Sequence, residues 1–558
     1  MPAESRTSSA THARAVLRDK AAVRRLWLTV LVHWDAFQFD RLGYIQALLW
    51  RSRGLKVRSR NRLAALMGRS PHAYQLWIER AEPKVRTELL ANRRLGPPII
   101  PVVDATGGSG SVEKTLASIA AGTTVNPIIV GARTARGATT VRVPSELAGL
   151  VSASGALLCI IPAGDIIAPG ALETYSAFAA HAESASVIYA DDDLWADGKR
   201  HSPHFKSSWN PELFDHHDYV TGSAALRVTT DMLAGLDRED WLEILTRRAI
   251  ARGKAPVHVP AVLHHRRQRP QPAPPGKPAH AVPDPAPLVT VIVPTRNRLT
   301  YLRKCVEGVG RTAYPNVELM VVDNGSDEPE TLEYLNSIAK NGTSVLRIPG
   351  PFNFSALNNA AVRHARGEFL CFLNNDVEVV DPDWLALLVR QAMRAHVGAA
   401  GGRLLYPDGT VQHAGVVTGV GGGAAHAHRN LRDSDDGYFL RDRLPQHVSA
   451  VTAACLVVSK RKFVAVGGFD EIDFRVAFND VDLCLKLNAR GWQSFYEPRA
   501  VLIHHESKSR GSDSALENRA RFAAELAALK RHWGTDGQRD PYHHPHLSPF
   551  CEQFHIAV

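Results

Sequence analysis

The chain has no paired cysteine motif. Its six cysteines are scattered along the sequence, without the closely spaced pairs that bind zinc or form redox disulfides. Several fall inside apolar segments with the pattern of buried strands or helices, so we expect reduced cysteines in the core of a cytoplasmic protein. The six are Cys159, Cys305, Cys371, Cys455, Cys484 and Cys551.

A hydrophobic run long enough to cross a membrane is also missing. The longest apolar run of the amino-terminal region, residues 26–32, includes Thr29, whereas a spanning helix needs about 20 apolar residues. It is not followed by the small-residue cleavage pattern of a secretory leader. We therefore expect neither a transmembrane anchor nor a signal peptide.

The charge is only modestly unbalanced. Basic residues number 66 and acidic residues 56, which gives a formal net charge of +10. Such an excess suits nucleotide diphosphates or a membrane surface and is weak evidence for nucleic acid. The basic stretch 51–69 has no interleaved aromatics for stacking bases, so we expect no nucleic-acid partner. It indicates either a solvated helical face or peripheral contact with anionic lipid, on the cytoplasmic face of the inner membrane.

Composition divides the chain into several units, for which 558 residues are ample. Residues 22–49 have the mixed apolar and charged pattern of amphipathic helices. Prolines recur at 270, 272, 274, 275, 278, 283, 285 and 287, which predicts a semi-rigid extended linker. The predicted units are a helical region at 1–96, a first α/β unit at 97–270, the linker at 271–287, a second α/β unit at 288–533 and a tail at 534–558.

The second unit begins with short apolar runs that alternate with helical patterns. The runs are residues 289–293, 317–322 and 369–373, and they predict buried parallel strands connected by helices. Each run ends in polar, turn-forming residues. Because ligands of open parallel sheets bind beyond the carboxyl ends of the strands, we expect a site where these turns converge. The turns are Pro294 to Asn297, Asp323 to Ser326 and Asn374 to Asp376.

The first unit repeats this order of parts. Apolar runs at residues 99–103, 127–130, 157–161 and 187–190 again end in turns, but with fewer polar groups. We interpret the repetition as an internal duplication.

Five motifs carry a family resemblance. They are Val291-Ile-Val-Pro-Thr-Arg-Asn297, Val322-Asp-Asn-Gly-Ser326, Phe372-Leu-Asn-Asn-Asp376, Phe478-Asn-Asp-Val-Asp482 and His504-His-Glu-Ser-Lys-Ser-Arg-Gly511. In these motifs, and in their order, the chain resembles family 2 glycosyltransferases across residues 288–533. More narrowly, it resembles the bacterial rhamnosyltransferase-like enzymes of surface-polysaccharide assembly. The resemblance extends weakly over residues 97–267.

The resemblance implies a fold and an activity. The fold is GT-A, the α/β fold of nucleotide-diphospho-sugar transferases, here in tandem copies behind a helical amino-terminal region. The activity is an inverting hexosyl or rhamnosyl transfer from a nucleotide-diphosphate sugar, which is UDP-, dTDP- or GDP-linked, to a glycan or lipid-linked acceptor. The implied cofactor is a divalent metal, Mn²⁺ or Mg²⁺.

The resemblance also indicates a metal ligand, Asp376. The acidic pair common among relatives has become Asn374-Asn375-Asp376, so a single carboxylate remains and weaker metal binding is expected. In isolation these residues would indicate only a turn; their place after the third strand favours the metal. Asn374 is expected to hydrogen-bond the ribose or the donor sugar, with Asn375 beside it in the donor site.

Further donor-binding residues follow from the same motifs. Asp323 is expected to contact the base or ribose, and it is equally compatible with an Asx turn. Arg366 either approaches the diphosphate or is a solvent-exposed cation. The full predicted set is Pro294, Thr295, Arg296, Asn297, Asp323, Asn324, Arg366, Asn374 and Asn375.

Asp480 is the predicted catalytic base, because a carboxylate held near an acceptor hydroxyl can take its proton. The alternative is that Asn479 is an N-cap and the acids merely favour the helix start electrostatically. His504 and His505 follow a strand, in which neighbouring side chains point to opposite faces. Only one of them can therefore face the metal, and the resemblance favours His504.

The first unit lacks most of this set. Asp104 and Asp165 remain as single acids, and Asp240 lies where a base would be expected. We expect a degenerate copy used for acceptor binding or assembly; a second active transferase is the alternative. For the whole chain, a catalytically inactive carbohydrate- or carrier-binding scaffold remains the alternative to an enzyme. Segments 406–423 and 437–446 are expected to form the pocket walls that select donor and acceptor.

Overall fold

The structure, a computed structural model, describes residues 4–91, 96–108, 110–120, 125–151, 155–506 and 518–558. Its amino-terminal region is helical, as the amphipathic pattern predicted. The helices there are α1 (Glu4–Phe39), α2 (Arg41–Ser52), α3 (Lys56–Met67), α4 (Ala73–Arg80) and α5 (Glu82–Ala91). In these described ranges, no helix combines the length and the apolar character that crossing a membrane requires.

The first α/β domain is built on one sheet whose strands run in the order β3-β2-β1-β4-β8-β6-β9-β5, with β7 paired to β6. The strands are β1 (Ile99–Asp104), β2 (Ile128–Val130), β3 (Thr139–Val141), β4 (Ala156–Pro162), β5 (Ile166–Ile167), β6 (Val187–Ala196), β7 (Lys199–His204), β8 (Ala224–Val228) and β9 (Val257–Arg266). The helices are α6 (Val112–Ala120), α7 (Ala171–His181), α8 (Pro211–His216) and α9 (Trp241–Arg252).

The second α/β domain has a larger sheet in the order β12-β11-β10-β13-β20-β15-β21-β14, with β16 paired to β15 and β19 to β21. Its strands are β10 (Val289–Thr295), β11 (Val317–Asp323), β12 (Ser344–Arg347), β13 (Phe369–Leu373), β14 (Val377–Val379), β15 (Val397–Leu405), β16 (Val411–His413), β19 (Gln446–Val448), β20 (Cys455–Ser459) and β21 (Gln493–His504). A separate hairpin pairs β17 (Val416–Thr418) with β18 (Ala424–His426).

Helices cover both faces of this second sheet. They are α10 (Leu299–Gly310), α11 (Pro329–Lys340), α12 (Phe354–His364), α13 (Trp384–Ala392), α14 (Lys460–Ala465), α15 (Asn479–Ala489) and α16 (Arg519–Trp533). Alternate residues of a strand point to opposite faces. Ile292 therefore joins the core under α12, while Val291 and Val293 join the core under α10 and α13.

The two sheets have the same strand order, position for position. In each, the strands run third, second, first and fourth along the chain, followed by the corresponding mixed strands. The first strand pairs in parallel with both neighbours, Val289 facing Val317 on one side and Phe369 on the other. The tandem α/β architecture predicted from the repeated sequence pattern is confirmed.

The tail connects all three regions, which the sequence did not indicate. Its His555 Nδ1 lies 3.0 Å from the carbonyl oxygen of Ala65 in the helical region. His544 Nε2 lies 2.8 Å from the Asp191 carboxylate in the first domain. In the second domain, the His428 N–H donates to the carbonyl of Glu552. The tail is thus packed structure between the domains.

Candidate active site

The carboxyl ends of β10, β13 and β21 border two adjoining cavities. The larger, about 710 Å³, is lined by Pro294 to Arg298, Asn374 to Asp376 and part of α16. The smaller, about 290 Å³, is lined by the start of α15 and by the β17–β18 hairpin. Both cavities share Phe354, Asn374, Val476, His504 and Glu506. They therefore form one cleft with two lobes.

His504 and Asp376 meet at the junction of the lobes. Strand pairing sets Val377 opposite His504, and His504 Nε2 lies 3.1 Å from Asp376 Oδ1. His505 points the other way, with its Nε2 3.1 Å from Glu378. The alternation of side chains along a strand thus brings His504, the histidine that the resemblance favoured, to Asp376.

The hydrogen bonds of Gln412 assign the tautomer of His504. The Gln412 amide NH₂ donates to Glu506 at 3.1 Å, so its oxygen faces His504 Nδ1, 2.9 Å away. Nδ1 therefore carries the proton, and the lone pair of Nε2 faces the Asp376 carboxylate. Two acceptors that face each other favour a cation between them; in this structure the Asn374 side-chain nitrogen is a donor at this position, 3.3 Å from Nε2.

The pair fits a divalent metal. Adjacent ligands of an octahedral Mg²⁺ or Mn²⁺, each about 2.1 Å from the ion, are about 3.0 Å apart. The observed separation of 3.1 Å matches that geometry. If His504 bound such an ion, Gln412 would be the outer partner that holds the imidazole in its tautomer, as such partners do at metal sites.

The first turn lines the larger lobe, as its motif predicted. Thr295 is buried and accepts a hydrogen bond of 2.9 Å from Asn375. Asn297 takes a left-handed backbone conformation, with φ 56°, and its side-chain oxygen accepts the N–H groups of Asp327 and Glu328. Arg296 remains exposed at the cavity. Neighbouring cations in the same lobe, which the motifs did not reveal, are Arg298 and Arg521.

The second turn is held by its own side chains. Asp323 is 1% exposed; it accepts the Ser326 N–H at 2.8 Å and a bond of 2.7 Å from Arg347. Asn324 donates to the carbonyl of Ile348 at 2.9 Å. The Asx-turn interpretation of Asp323 is therefore confirmed. Contact of Asp323 and Asn324 with a nucleotide stays a prediction.

The prediction that Arg366 contacts the diphosphate is contradicted. Arg366 precedes β13, and its guanidinium pairs with Glu318 at 2.6 Å, near the start of β11. Because β10, β11 and β13 are parallel, this ion pair lies at the amino ends of the strands, away from both cavities. Its alternative reading, an exposed cation, is the correct one.

Asp480 lies in the first turn of α15 and lines the smaller lobe. Its carboxylate accepts the N–H groups of Ala453 at 3.0 Å and Val481 at 2.9 Å. Asn479 is the first helical residue, and its side chain donates to the carbonyl of Val476. Asn479 is therefore not the N-cap, since Phe478 holds that position without a side-chain bond. The electrostatic part of that alternative stands, because Asp480 and Asp482 both lie in the first turn of the helix.

The smaller lobe has a polar wall that the motifs did not identify, formed by residues from separate parts of the chain. Glu506 accepts hydrogen bonds from Tyr406 at 2.7 Å and Arg429 at 3.1 Å. Burial alone would raise its pKa, but these partners lower the pKa of Glu506 to about 2. Burial, aided by Arg429, lowers the pKa of His426 to about 4, so this ring is neutral at pH 7. The tail adds Glu552 to the same wall.

In the first domain, cationic side chains fill the equivalent site. Ile166 pairs with His265 as Val377 pairs with His504, so Asp165 corresponds to Asp376. Asp165 lies 3.7 Å from the Arg266 guanidinium, and His265 is turned to Asp193 at 2.7 Å. An acid in the middle of strand β6 is likewise neutralised, since Lys206 pairs with Asp192 at 2.8 Å.

Comparison with known proteins agrees with the motifs. The chain is 39% identical over 445 residues to "Uncharacterized protein y4gI" of Sinorhizobium fredii, covering 71% of this chain and 49% of that protein. It is 35% identical to the O-antigen biosynthesis protein RfbC of Myxococcus xanthus, covering 72% and 34%. It is 32% identical over 155 residues to an N-acetylglucosaminyl-diphospho-decaprenol L-rhamnosyltransferase of Mycobacterium tuberculosis, covering 26% and 50%.

The chain thus spans half or less of the length of these relatives. Residues 290–464 match the sequence profile of the family described as "Glycosyl transferase family 2". This range holds β10, β11, β13 and the turns that form the larger lobe. The second α/β domain therefore contains a region that matches glycosyltransferase family 2, and the motifs of this region lie together at one edge of its sheet.

Proposed function

We propose that the second α/β domain transfers a sugar, with inversion, from a nucleotide-diphosphate donor to a glycan or lipid-linked acceptor in bacterial surface-polysaccharide biosynthesis. The observation that carries this proposal is the position of the Asp376–His504 pair, which lies between two lobes of one cleft. A binding scaffold would not need a cation site joined to a carboxylate in the second lobe. The geometry therefore favours the enzyme over the scaffold.

The larger lobe suits the donor. Its volume of about 710 Å³ is in the range of small-molecule sites, and the cations Arg296, Arg298 and Arg521 suit a diphosphate. Asp376 and His504 would hold Mn²⁺ or Mg²⁺, which neutralises the charge that develops on the departing nucleotide diphosphate. Thr295 and Asn375 are hydrogen-bonded to each other and form the floor of this lobe.

The smaller lobe suits the acceptor, with Asp480 as general base. Two backbone N–H groups orient its carboxylate, and no side chain among the described residues is hydrogen-bonded to it. Glu506, the other carboxylate at the junction, is held by Tyr406, Gln412 and Arg429. With Asp480 taking the proton of the acceptor hydroxyl, that hydroxyl would displace the diphosphate directly, and hence with inversion.

The first α/β domain is proposed to be a degenerate copy that serves acceptor binding or assembly. Its Arg266 and Lys206 stand beside the acids that would otherwise be available to a cation. For the chain as a whole we propose a cytoplasmic location with peripheral contact to the inner membrane, supported by the exposed basic residues of α2 and α3.

A panel of nucleotide sugars tests the proposal. The full chain is incubated with UDP-, dTDP- and GDP-linked sugars, and release of nucleotide diphosphate is measured with Mn²⁺, Mg²⁺ or excess chelator. We expect slow release from one donor class that requires the divalent ion. Absence of release from every donor would favour the scaffold, and full activity in chelator would remove the metal role of Asp376 and His504.

A further inference from the structure

Helix α1 is apolar on two opposite sides. One stripe, with Leu28, Val32 and Ala36, is buried, and its first two residues pack against Leu76 of α4. The opposite stripe is open to solvent. Its residues follow the spacing of one helix face and are at least half exposed: Val23, Leu26, Trp27, Val30 and Trp34.

Helix α2 also has an exposed apolar side. Leu42 is 83% exposed, and Ile45 and Leu49, on the same side of the helix, are nearly half exposed. Together the two helices present these eight exposed apolar side chains, two of which are tryptophans. Apolar surface gathered in this way marks an interaction site, and tryptophan is enriched where proteins meet the membrane interface.

A basic cavity lies beside this surface. It measures about 760 Å³ and lies between α2, α3, α4 and the end of the tail. His33 lines it from α1, about 80° around the helix from the centre of the exposed stripe. Its cations are Arg51, Lys56, Arg60, Arg80 and Lys84.

Basic side chains dominate the charge of the cavity wall. No Asp or Glu side chain lines it, and none of its five cations forms one of the ion pairs found among the described residues. Apolar side chains, among them Leu63 and Trp77, form much of the remaining wall. A ligand that fits must combine an anionic group with hydrocarbon, and the phosphate end of a phospholipid does so.

We propose that this face docks on an anionic phospholipid bilayer, with the stripes of α1 and α2 in the interface and one lipid phosphate in the basic cavity. This deepens the membrane contact of the proposed function by naming its partner and its residues. A second copy of the chain fits less well, because two such faces would bring like charges together. In the tail, Phe550 lines the basic cavity and Glu552 lines the smaller lobe, the proposed acceptor lobe. Docking would therefore set the acceptor lobe near the membrane.

Co-sedimentation of the full chain with vesicles tests the proposal. We expect binding to vesicles that contain phosphatidylglycerol, little binding to phosphatidylcholine alone, and loss of binding as salt rises. The double variant Arg51→Gln/Arg60→Gln should bind roughly 25-fold more weakly, since each cation near an anionic surface contributes about five-fold. Trp27→Ser/Trp34→Ser should also weaken binding.

Matched controls use exposed residues of the second domain. Val464→Ser/Ile472→Ser removes apolar side chains of similar exposure, and Arg311→Gln/Lys340→Gln removes two exposed cations. Both controls should bind vesicles like the parent. Equal loss in controls and test variants, or equal binding to both vesicle types, would overturn the proposal.

Size-exclusion chromatography with light scattering measures the molar mass and tests whether a second copy of the chain occupies this face instead. A dimer that becomes monomeric in Trp27→Ser/Trp34→Ser would assign the stripe to self-association and overturn the proposal. Release of nucleotide diphosphate in solution is measured on the same variants and should be unchanged. If the protein released nucleotide diphosphate but did not bind vesicles, the membrane proposal would fail and the proposed transferase would stand. If it bound vesicles but released no nucleotide diphosphate, the transferase would fail and the membrane proposal would stand.

Discussion

Asp480 and Asp482 stand two residues apart on α15 and differ in what holds them. Asp480 borders the acceptor lobe and is bound by backbone N–H groups alone. Asp482 is buried, pairs with Lys486 at 2.8 Å and accepts the indole N–H of Trp533 at 3.0 Å. We therefore propose Asp480 rather than Asp482 as the catalytic base, whereas Asp482 fastens α15 to α16.

We expect Asp480→Asn to abolish transfer while leaving donor binding nearly intact. Asparagine keeps the size and an acceptor oxygen but cannot take a proton, and loss of a general base costs on the order of 10² to 10⁴ in rate. Calorimetry should therefore show nucleotide binding close to that of the parent, while product detection shows almost no transfer. Asp482→Asn is the matched control, which should lower the unfolding midpoint and leave the rate per folded molecule unchanged. Turnover of Asp480→Asn within a few-fold of the parent would place the base elsewhere.

Gln412 offers a second test at this scale. Its oxygen accepts from His504 Nδ1 at 2.9 Å, so Gln412→Leu frees the imidazole to turn and to change tautomer. We expect Mn²⁺ affinity, measured directly by electron paramagnetic resonance, to fall about 10- to 100-fold. Gln412→Glu, which retains an acceptor, should recover part of the affinity. Unchanged affinity in Gln412→Leu would show that His504 is not a ligand.

At the scale of elements, the tail joins parts that lie far apart in the chain. Leu547 and Phe554 are almost fully buried, and the Phe554 ring stacks on His428 with centroids 4.5 Å apart. The Thr418 N–H donates to Asp540 at 2.7 Å, which ties the tail to the β17–β18 hairpin of the acceptor lobe. The tail therefore contributes to both stability and the shape of that lobe.

Phe554→Ala should destabilise the protein by about 3–5 kcal/mol, as expected for truncating a buried aromatic side chain. The measurement is urea unfolding followed by tryptophan fluorescence. Phe550→Ala provides a comparison, because Phe550 is only half-buried and its loss should cost less. Equal, small effects of both changes would indicate that the tail is not packed as described.

At the scale of the whole molecule, the two α/β domains share a buried boundary. Asn210 of the first domain donates to the carbonyl of His447 in the second at 2.9 Å, and the Tyr438 hydroxyl donates to the carbonyl of Phe205. Leu444 of the second domain packs within the core of the first. The first α/β domain is thus part of the framework that supports the second.

Many of the 25 histidines are buried, which makes stability depend on pH. Burial lowers the pKa of His217, His447 and His555 to about 4. Below about pH 6.5, the histidines of the unfolded chain take up protons that these buried rings exclude. The free energy of unfolding therefore decreases as the pH is lowered. Asp165 has the opposite effect, because burial raises its pKa to about 6, but it is a single group.

We expect each of these three histidines to cost on the order of 1 kcal/mol between pH 6.5 and 5.5. The midpoint of thermal unfolding should therefore decrease steadily from pH 7.5 to pH 5.5, before most carboxylates titrate. Differential scanning calorimetry in buffers of equal ionic strength makes the measurement. A midpoint that is flat across this range would contradict the description of these rings as buried and neutral.

The sequence by itself determined the elements and the location of the site. The runs at 289–293, 317–322 and 369–373 form strands because each is apolar throughout and ends in turn-forming residues. Their order with the intervening helices sets a parallel sheet whose carboxyl edge collects the motifs. The repeat at 97–267 follows from the same local pattern, and so does the helical start of the chain.

Only the tertiary structure decided which side chains meet. His504 rather than His505 faces Asp376 because the pairing of β14 with β21 fixes its side. Arg366 lies at the opposite end of the sheet because its partner, Glu318, starts a parallel strand. Gln412, Arg429, Glu506 and Glu552 come together from distant segments, and no local pattern signals such contacts. Local composition fixes the elements, whereas these long-range contacts depend on how the elements pack.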